Sequence, residues 1–187
     1  GRYVRVLMTR AASPDGYVLS EMEVFGHGGP MPQAQATPKR RTDDRVELTR
    51  GAWRIQRESL VTADGATISK PGFRTDDWLP ATVPGTVLSS YWDDGAVADP
   101  NYGRNQLMIS DSFFYSNFWY RDELVVPPSA PGRHVWLNFD GINWKADVFF
   151  NGERVGRIEG GFMRGKFDVT HLVRRGANAL AVLVIKN

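Results

Sequence analysis

Val148-Phe149-Phe150-Asn151-Gly152-Glu153-Arg154-Val155 reads as two strands that reverse on Asn151-Gly152. A type I′ turn holds both central residues at positive φ, which Asn and Gly adopt at the lowest steric cost. Before it, His134 to Asp140 alternates, with Val135, Leu137 and Phe139 on one side and Trp136, Asn138 and Asp140 on the other. Successive side chains point to opposite faces of a strand, so this spacing predicts a strand buried on one face. Similar short runs predict strands at 46–49, 53–58, 78–83, 118–126, 146–150, 154–158, 166–169 and 178–185. Asp168-Val169-Thr170-His171-Leu172-Val173-Arg174-Arg175-Gly176 predicts one capped helical turn, stopped by glycine before the last strand. No window of a dozen residues sustains a 3.6-residue apolar period. About nine short strands divided by turn residues predict an all-β fold, an antiparallel jelly-roll β-sandwich.

Composition bounds the rest. The chain has 187 residues, 42% hydrophobic and 24% charged, enough for one ordinary core or for a domain plus part of another. That apolar share excludes a disordered chain, and the longest apolar run, 179–185, is far too short to span a bilayer. Lys and Arg number 23 against 21 Asp and Glu, a net charge of +2, so neither nucleic acid nor a membrane is an expected partner. With no cysteine, disulfides, thiolate metal sites and cysteine nucleophiles are excluded, while the compartment stays open.

Residues 1–27 hold two strand signals around Ser13-Pro14-Asp15-Gly16, the remnant of another β-sandwich. Residues 28–44, rich in Gly, Pro, Ala and Gln and closing on bases, read as an extended linker. The main sandwich is expected over 45–187. The abrupt strand-like opening at Gly1 reads as a chain cut from a longer one.

Catalytic machinery is not legible. His27, His134 and His171 fall in a linker, a strand and a turn, so no metal site is expected, and no fingerprint for a nucleotide cofactor occurs. Glycoside hydrolysis needs two carboxyl groups facing each other across a sugar. Asp43-Asp44, Asp76-Asp77 and Asp93-Asp94 are adjacent doublets, and neighbouring side chains on a strand diverge. The informative stretch is Asp99-Pro100-Asn101-Tyr102-Gly103-Arg104-Asn105-Gln106, inside the long segment 89–117 that carries few strand signals. Amide and guanidinium groups suit sugar hydroxyls, and a tyrosine ring suits the apolar face of a pyranose. The same residues also suit a structural role, with Asn101 and Asn105 satisfying loop backbone and Tyr102 packing as a plug. In the aromatic run 113–120, Phe118 and Tyr120 are expected in the core, while Trp92 and Trp144 have no assignable face.

Ile68-Ser69-Lys70-Pro71-Gly72-Phe73-Arg74-Thr75 and Trp78-Leu79-Pro80-Ala81-Thr82-Val83-Pro84-Gly85-Thr86-Val87-Leu88 resemble the N-terminal sugar-binding domain of glycoside hydrolase family 2. Ala98-Asp99-Pro100-Asn101-Tyr102-Gly103-Arg104-Asn105, Phe118-Trp119-Tyr120-Arg121 and the stretch 139–152 resemble it in the right order. The likeness is greatest to exo-β-D-glucosaminidases, then to the β-mannosidase types. Arg2 to Gly26 is similar to the last strands of a discoidin (F5/8 type C) domain. The main resemblance implies a galactose-binding-domain-like jelly roll that accompanies a catalytic (β/α)8 barrel in a secreted or periplasmic retaining glycosidase. It implies β-linked oligosaccharides of chitosan or mannan type as substrates, and the remaining domains of the same enzyme as partners. Catalytic glutamates would lie on the barrel, with none in this chain and no cofactor. A loop matching 99–105 would approach the pocket, with Asn105 as the residue carried over to substrate binding and Asp99, Tyr102 and Arg104 as its neighbours.

Overall fold

Eight strands form among the described residues, and every paired neighbour is antiparallel. They are β1 (Arg54–Arg57), β2 (Leu79–Pro80), β3 (Phe118–Val125), β4 (Trp136–Phe139), β5 (Lys145–Phe150), β6 (Glu153–Glu159), β7 (Gly165–Asp168) and β8 (Ala177–Ile185). The computed structural model describes residues 47–48, 52–128 and 132–186. The two-stranded remnant expected at 1–27 and the linker expected at 28–44 therefore lie outside the described residues.

The layers are unequal: a six-stranded sheet in the order β2-β1-β3-β8-β5-β6, and a two-stranded sheet of β4 and β7. The fold is all-β, as the strand spacing predicts. Individual bounds differ. Glu47 and Leu48, the described part of the strand expected at 46–49, lie outside any strand. The strand expected at 134–139 begins at Trp136, because the Val135 amide donates to the Thr170 hydroxyl at 2.8 Å and so leaves the ladder. The hairpin at Asn151-Gly152 forms as predicted, with φ of 50° and 97° at the two residues. The turn before the last strand is 3-10, Thr170–Leu172, with the Thr170 amide bonded to Asp168 Oδ1 at 3.0 Å and Gly176 at φ 85°.

Between the two sheets lies the main core. Ala146, Val148 and Phe150 of β5, Leu180 and Val182 of β8, and Leu137 of β4 are buried together. Each large side chain there contributes about 1.5–3 kcal/mol by leaving water. The expectation for β3 holds at Phe118, which is buried, and at Tyr120, which packs against this core. Burial pushes the Tyr120 hydroxyl up to about 12.

The other face of the large sheet is covered too. Helix α1 (Gly65–Ile68) and the Phe73–Trp78 turn lie over Trp119, Ala181, Phe149 and Leu183. Asp64 caps α1 through its carboxylate on the Thr67 amide at 2.8 Å. A Cβ on Gly65 would meet the Phe149 ring at 2.5 Å, so only glycine lets the helix sit this low. Burial on both faces explains why β3 does not alternate between apolar and polar residues.

Asp122 is 2% exposed, and its Oδ1 has no hydrogen-bond partner. Burial pushes its carboxyl above the usual carboxylate range, against the opposing pull of the Glu123 and Ala52 amides. A raised folded value means the native state binds more protons than the unfolded one. Stability from this group is full below the unfolded carboxylate range and falls as pH rises through the folded value. Asp122→Asn is expected to remove that loss. Its stability advantage over the parent should grow by about 1.4 kcal/mol per pH unit between those two values. Urea melts of both proteins from pH 4 upward measure it, and parallel curves contradict it.

Candidate functional site

Two short helices shape the segment that the strand pattern left blank. Helix α2 (Val87–Asp93) starts at Thr86, whose hydroxyl accepts the Ser89 amide at 3.0 Å while Ser89 Oγ accepts the Thr86 amide at 2.7 Å. This reciprocal capping box satisfies two donors that a helix start would otherwise leave unpaired. Ser90, 1% exposed, ties α2 to the segment that follows β2 by accepting the Thr82 amide at 3.1 Å. Helix α3 (Asn105–Met108) follows, and Asn105 is its first residue rather than part of an irregular loop.

Asp99 organises the turn before α3. Its Oδ1 accepts the Asn101 amide at 2.8 Å, and its backbone carbonyl accepts Asn105 Nδ2 at 2.9 Å and the Tyr102 amide at 3.2 Å. The Tyr102 carbonyl in turn receives the Asn105 amide at 3.2 Å. The side chain of Asn105 thus braces the backbone as the structural reading expects, whereas that of Asn101 donates only to the Asp99 carboxylate, at 3.3 Å. Tyr102 is 76% exposed and plugs nothing, and Arg104 is exposed as well.

Of the four residues singled out from the sequence, Asn105 lines a groove on this segment. This cavity of about 250 Å³ is bounded by Val97, Ala98, Asn105, Met108, Ile109 and Ser110. Asp99, Tyr102 and Arg104 belong to the same turn without lining it. The five companions of Asn105 escaped the sequence reading. The signal was there in the Arg104-Asn105-Gln106-Leu107-Met108 turn, where positions three apart share a helix face. Asn105 spends one Nδ2 hydrogen on Asp99, which leaves the other and Oδ1 for a ligand hydroxyl.

The groove's chemistry is that of a wall. Its volume falls below the roughly 300–1,000 Å³ of a complete small-molecule pocket. None of its lining residues is acidic, so it holds no carboxyl pair for glycoside hydrolysis. Met108 in its lining and Leu107 beside it are 82% and 74% exposed. Further along, Asn117 Oδ1 accepts the Lys186 amide at 2.9 Å, and its Nδ2 donates to Glu58 Oε2 at 2.7 Å. The end of β8 is thereby held beside Tyr115, whose ring lies 5.6 Å from Lys186 Nζ.

The tryptophans without an assigned face are placed differently. Trp92 on α2 is 39% exposed. Trp144 is partly covered, with a buried, unpaired Nε1 and Lys145 Nζ 5.1 Å from its ring. Among the described residues no three His, Asp or Glu side chains gather to hold a metal ion, and no helix is long and apolar enough to cross a membrane.

Known proteins share this fold. The chain is 37% identical over 136 residues to an exo-β-D-glucosaminidase of Streptomyces avermitilis, covering 71% of this chain and 15% of that protein. It is 37% identical over 140 residues to a mannosylglycoprotein endo-β-mannosidase of Lilium longiflorum, again 71% of this chain and 15% of the relative. Among solved structures, the exo-chitosanase CsxA of Amycolatopsis orientalis superposes with a TM-score of 0.65 at 33% identity, over 72% of this chain and 16% of that one. The same enzyme has been solved in complex with PNP-β-D-glucosamine. The chain thus spans about a sixth of the length of these relatives. The family described as glycosyl hydrolase 2 galactose-binding domain-like matches residues 53–186, and the chain belongs to it.

Proposed function

We propose that this chain is the accessory sandwich of a family 2 retaining glycosidase, building one wall of the substrate pocket without supplying the catalytic carboxylates. The supporting observation is the groove at Asn105, which is undersized, lacks acids and is rimmed by bare apolar side chains. A surface of that kind is completed by another domain. The substrate class that fits the relatives is a β-linked oligosaccharide ending in glucosamine or mannose. Asn105 holds a hydroxyl of the terminal sugar, while Asp99 fixes the rotamer of Asn105 through its carbonyl and so positions it. Tyr102 and Arg104 stand at the exposed edge of the turn, where they meet the neighbouring domain or a further sugar.

The test compares Asn105→Ala with the parent in the full-length polypeptide that carries this chain. A lost hydrogen bond to a ligand hydroxyl costs about 1–3 kcal/mol, so kcat/KM for a nitrophenyl β-glucosaminide or β-mannoside should fall about 5- to 150-fold. Unchanged kinetics, or turnover by the 187-residue chain alone that a carboxylate substitution abolishes, contradicts the reading.

A further inference from the structure

One end of the large sheet gathers apolar side chains that neither the core nor the groove uses. There β3 and β5 start while β6 and β8 finish, with Phe118 paired to Val184 and Lys145 paired to both Ile185 and Glu159. The connection from β6 to β7 leaves from this end and carries Phe162, fully exposed, and the exposed Met163. That connection is held at several points. The Gly160 amide donates to the Trp144 carbonyl at 2.8 Å and the Met163 amide to the Gly160 carbonyl at 3.4 Å. At its base Lys145 Nζ pairs with Glu159 Oε1 at 2.7 Å. On the β3 side of the same end Tyr115 is exposed beside Lys186. Single apolar side chains in water are ordinary, but three gathered at one end of a sheet mark a contact surface.

We propose that this end docks the domain that follows β8 in the full-length polypeptide, with the Phe162 ring as the anchor seated in an apolar pocket of that domain. Length and exit point to this occupant. The chain spans about a sixth of the length of its relatives. The strand order β3-β8-β5-β6 brings β8 out between the Tyr115 side and the Phe162 side. Ile185 and Glu159 lie two strand spacings apart, about 10 Å, so whatever follows is delivered beside the Phe162 connection. A tethered neighbour meets such a surface at a high effective concentration, and a small apolar contact then suffices. Residue types agree, because aromatic side chains, Met and Arg are enriched at interfaces. Arg164 supplies a polar rim, its Nε 4.0 Å from Asp140 Oδ1 with both side chains exposed. The proposal rests on the reading of this chain as one domain of a longer glycosidase. The two fail separately, because that reading is tested by turnover at Asn105 and this one by coverage of Phe162.

The experiment is hydroxyl-radical footprinting of the full-length polypeptide, native and unfolded in urea. Phe162 should react at least about tenfold more slowly in the native protein, since an anchor at the centre of an interface is sealed from water. A native rate equal to the unfolded one overturns the proposal. A photoreactive benzoylphenylalanine placed at position 162 then identifies the cover. Cross-links to sequence beyond Asn187 are expected, and cross-links to residues 1–46 or to a second copy overturn the choice of occupant. Phe162→Ala should speed protease cleavage of the segment joining β8 to the next domain at least about tenfold, and Phe162→Leu should do so less. Unchanged cleavage of Phe162→Ala removes Phe162 as the anchor. The footprint is read on the unsubstituted protein, so the test stands even if the alanine variant misfolds.

Discussion

Arg121→Met should lower the stability of this domain by about 3–5 kcal/mol, since two hydrogen bonds from a charged donor are worth about 1.5–3 kcal/mol each. The side chain is 5% exposed and crosses from β3 to the covering layer. Its Nε donates to the Ile68 carbonyl at 2.9 Å, and Nη2 donates to the Lys70 carbonyl at 2.9 Å and to Glu123 Oε1. Glu123 Oε1 also accepts the Gly72 amide at 2.7 Å. One guanidinium thus ties the end of α1 and the following turn to the sheet, with the Phe73 ring 5.8 Å from its Cζ. Methionine keeps most of the volume but leaves the buried Ile68 carbonyl and the part-buried Lys70 carbonyl without their donor. Burial pushes the Glu123 carboxyl up, yet Arg121 and the Gly72 amide outweigh it and hold it below the usual range. A depressed folded value adds stability above the unfolded range that is lost as pH falls through the folded one. The deficit of Arg121→Met should accordingly shrink in acid. Urea denaturation at pH 7 and pH 3 checks both points, and a loss under about 1 kcal/mol at neutral pH would count against a structural clamp.

Asn151→Ala is expected to cost about as much, roughly 3–5 kcal/mol, for a different reason. Asn151 is 4% exposed. Its Nδ2 donates at 2.7 Å to both the Leu172 carbonyl and Asn178 Oδ1, and its Oδ1 accepts the Ala179 amide at 2.9 Å. Alanine orphans the Leu172 carbonyl and the Ala179 amide inside the protein, and it must also adopt φ near 50°. Asn151→Gly separates the two contributions. It loses the same hydrogen bonds but relieves the backbone, so it should be about 1 kcal/mol more stable than the alanine variant. Against a total of about 5–15 kcal/mol for a domain, either change is large. Equal stability of alanine and glycine would mean that the left-handed turn carries no cost. Near-parental stability of both would mean that the buried amide is dispensable.

Asn151 also shows why a hairpin is legible while a site is not. Positive φ at Asn-Gly is a local preference, read from two residues. The capping box at Thr86 and Ser89 is equally local, yet α2 has only seven residues, too few for an apolar period to stand out. Asn105 drew notice through residue type and family likeness. What separates it from Asp99, Tyr102 and Arg104 is the direction that a four-residue helix gives it, into a groove it shares with Val97, Met108 and Ile109.

The sequence alone determined most of the strands, the Asn151-Gly152 hairpin and the family, because each rests on neighbours in the chain or on ordered motifs. Tertiary structure decided which faces are covered. Alternation assigns Trp119 and Arg121 to one side of β3 and Tyr120 and Asp122 to the other, but it does not say that α1 covers the first side and the core the second. Nor does it say that Trp136 stays 44% exposed while Trp119 is 4% exposed. Parity is a property of one strand; burial is set by segments far away in the chain that come to lie on it.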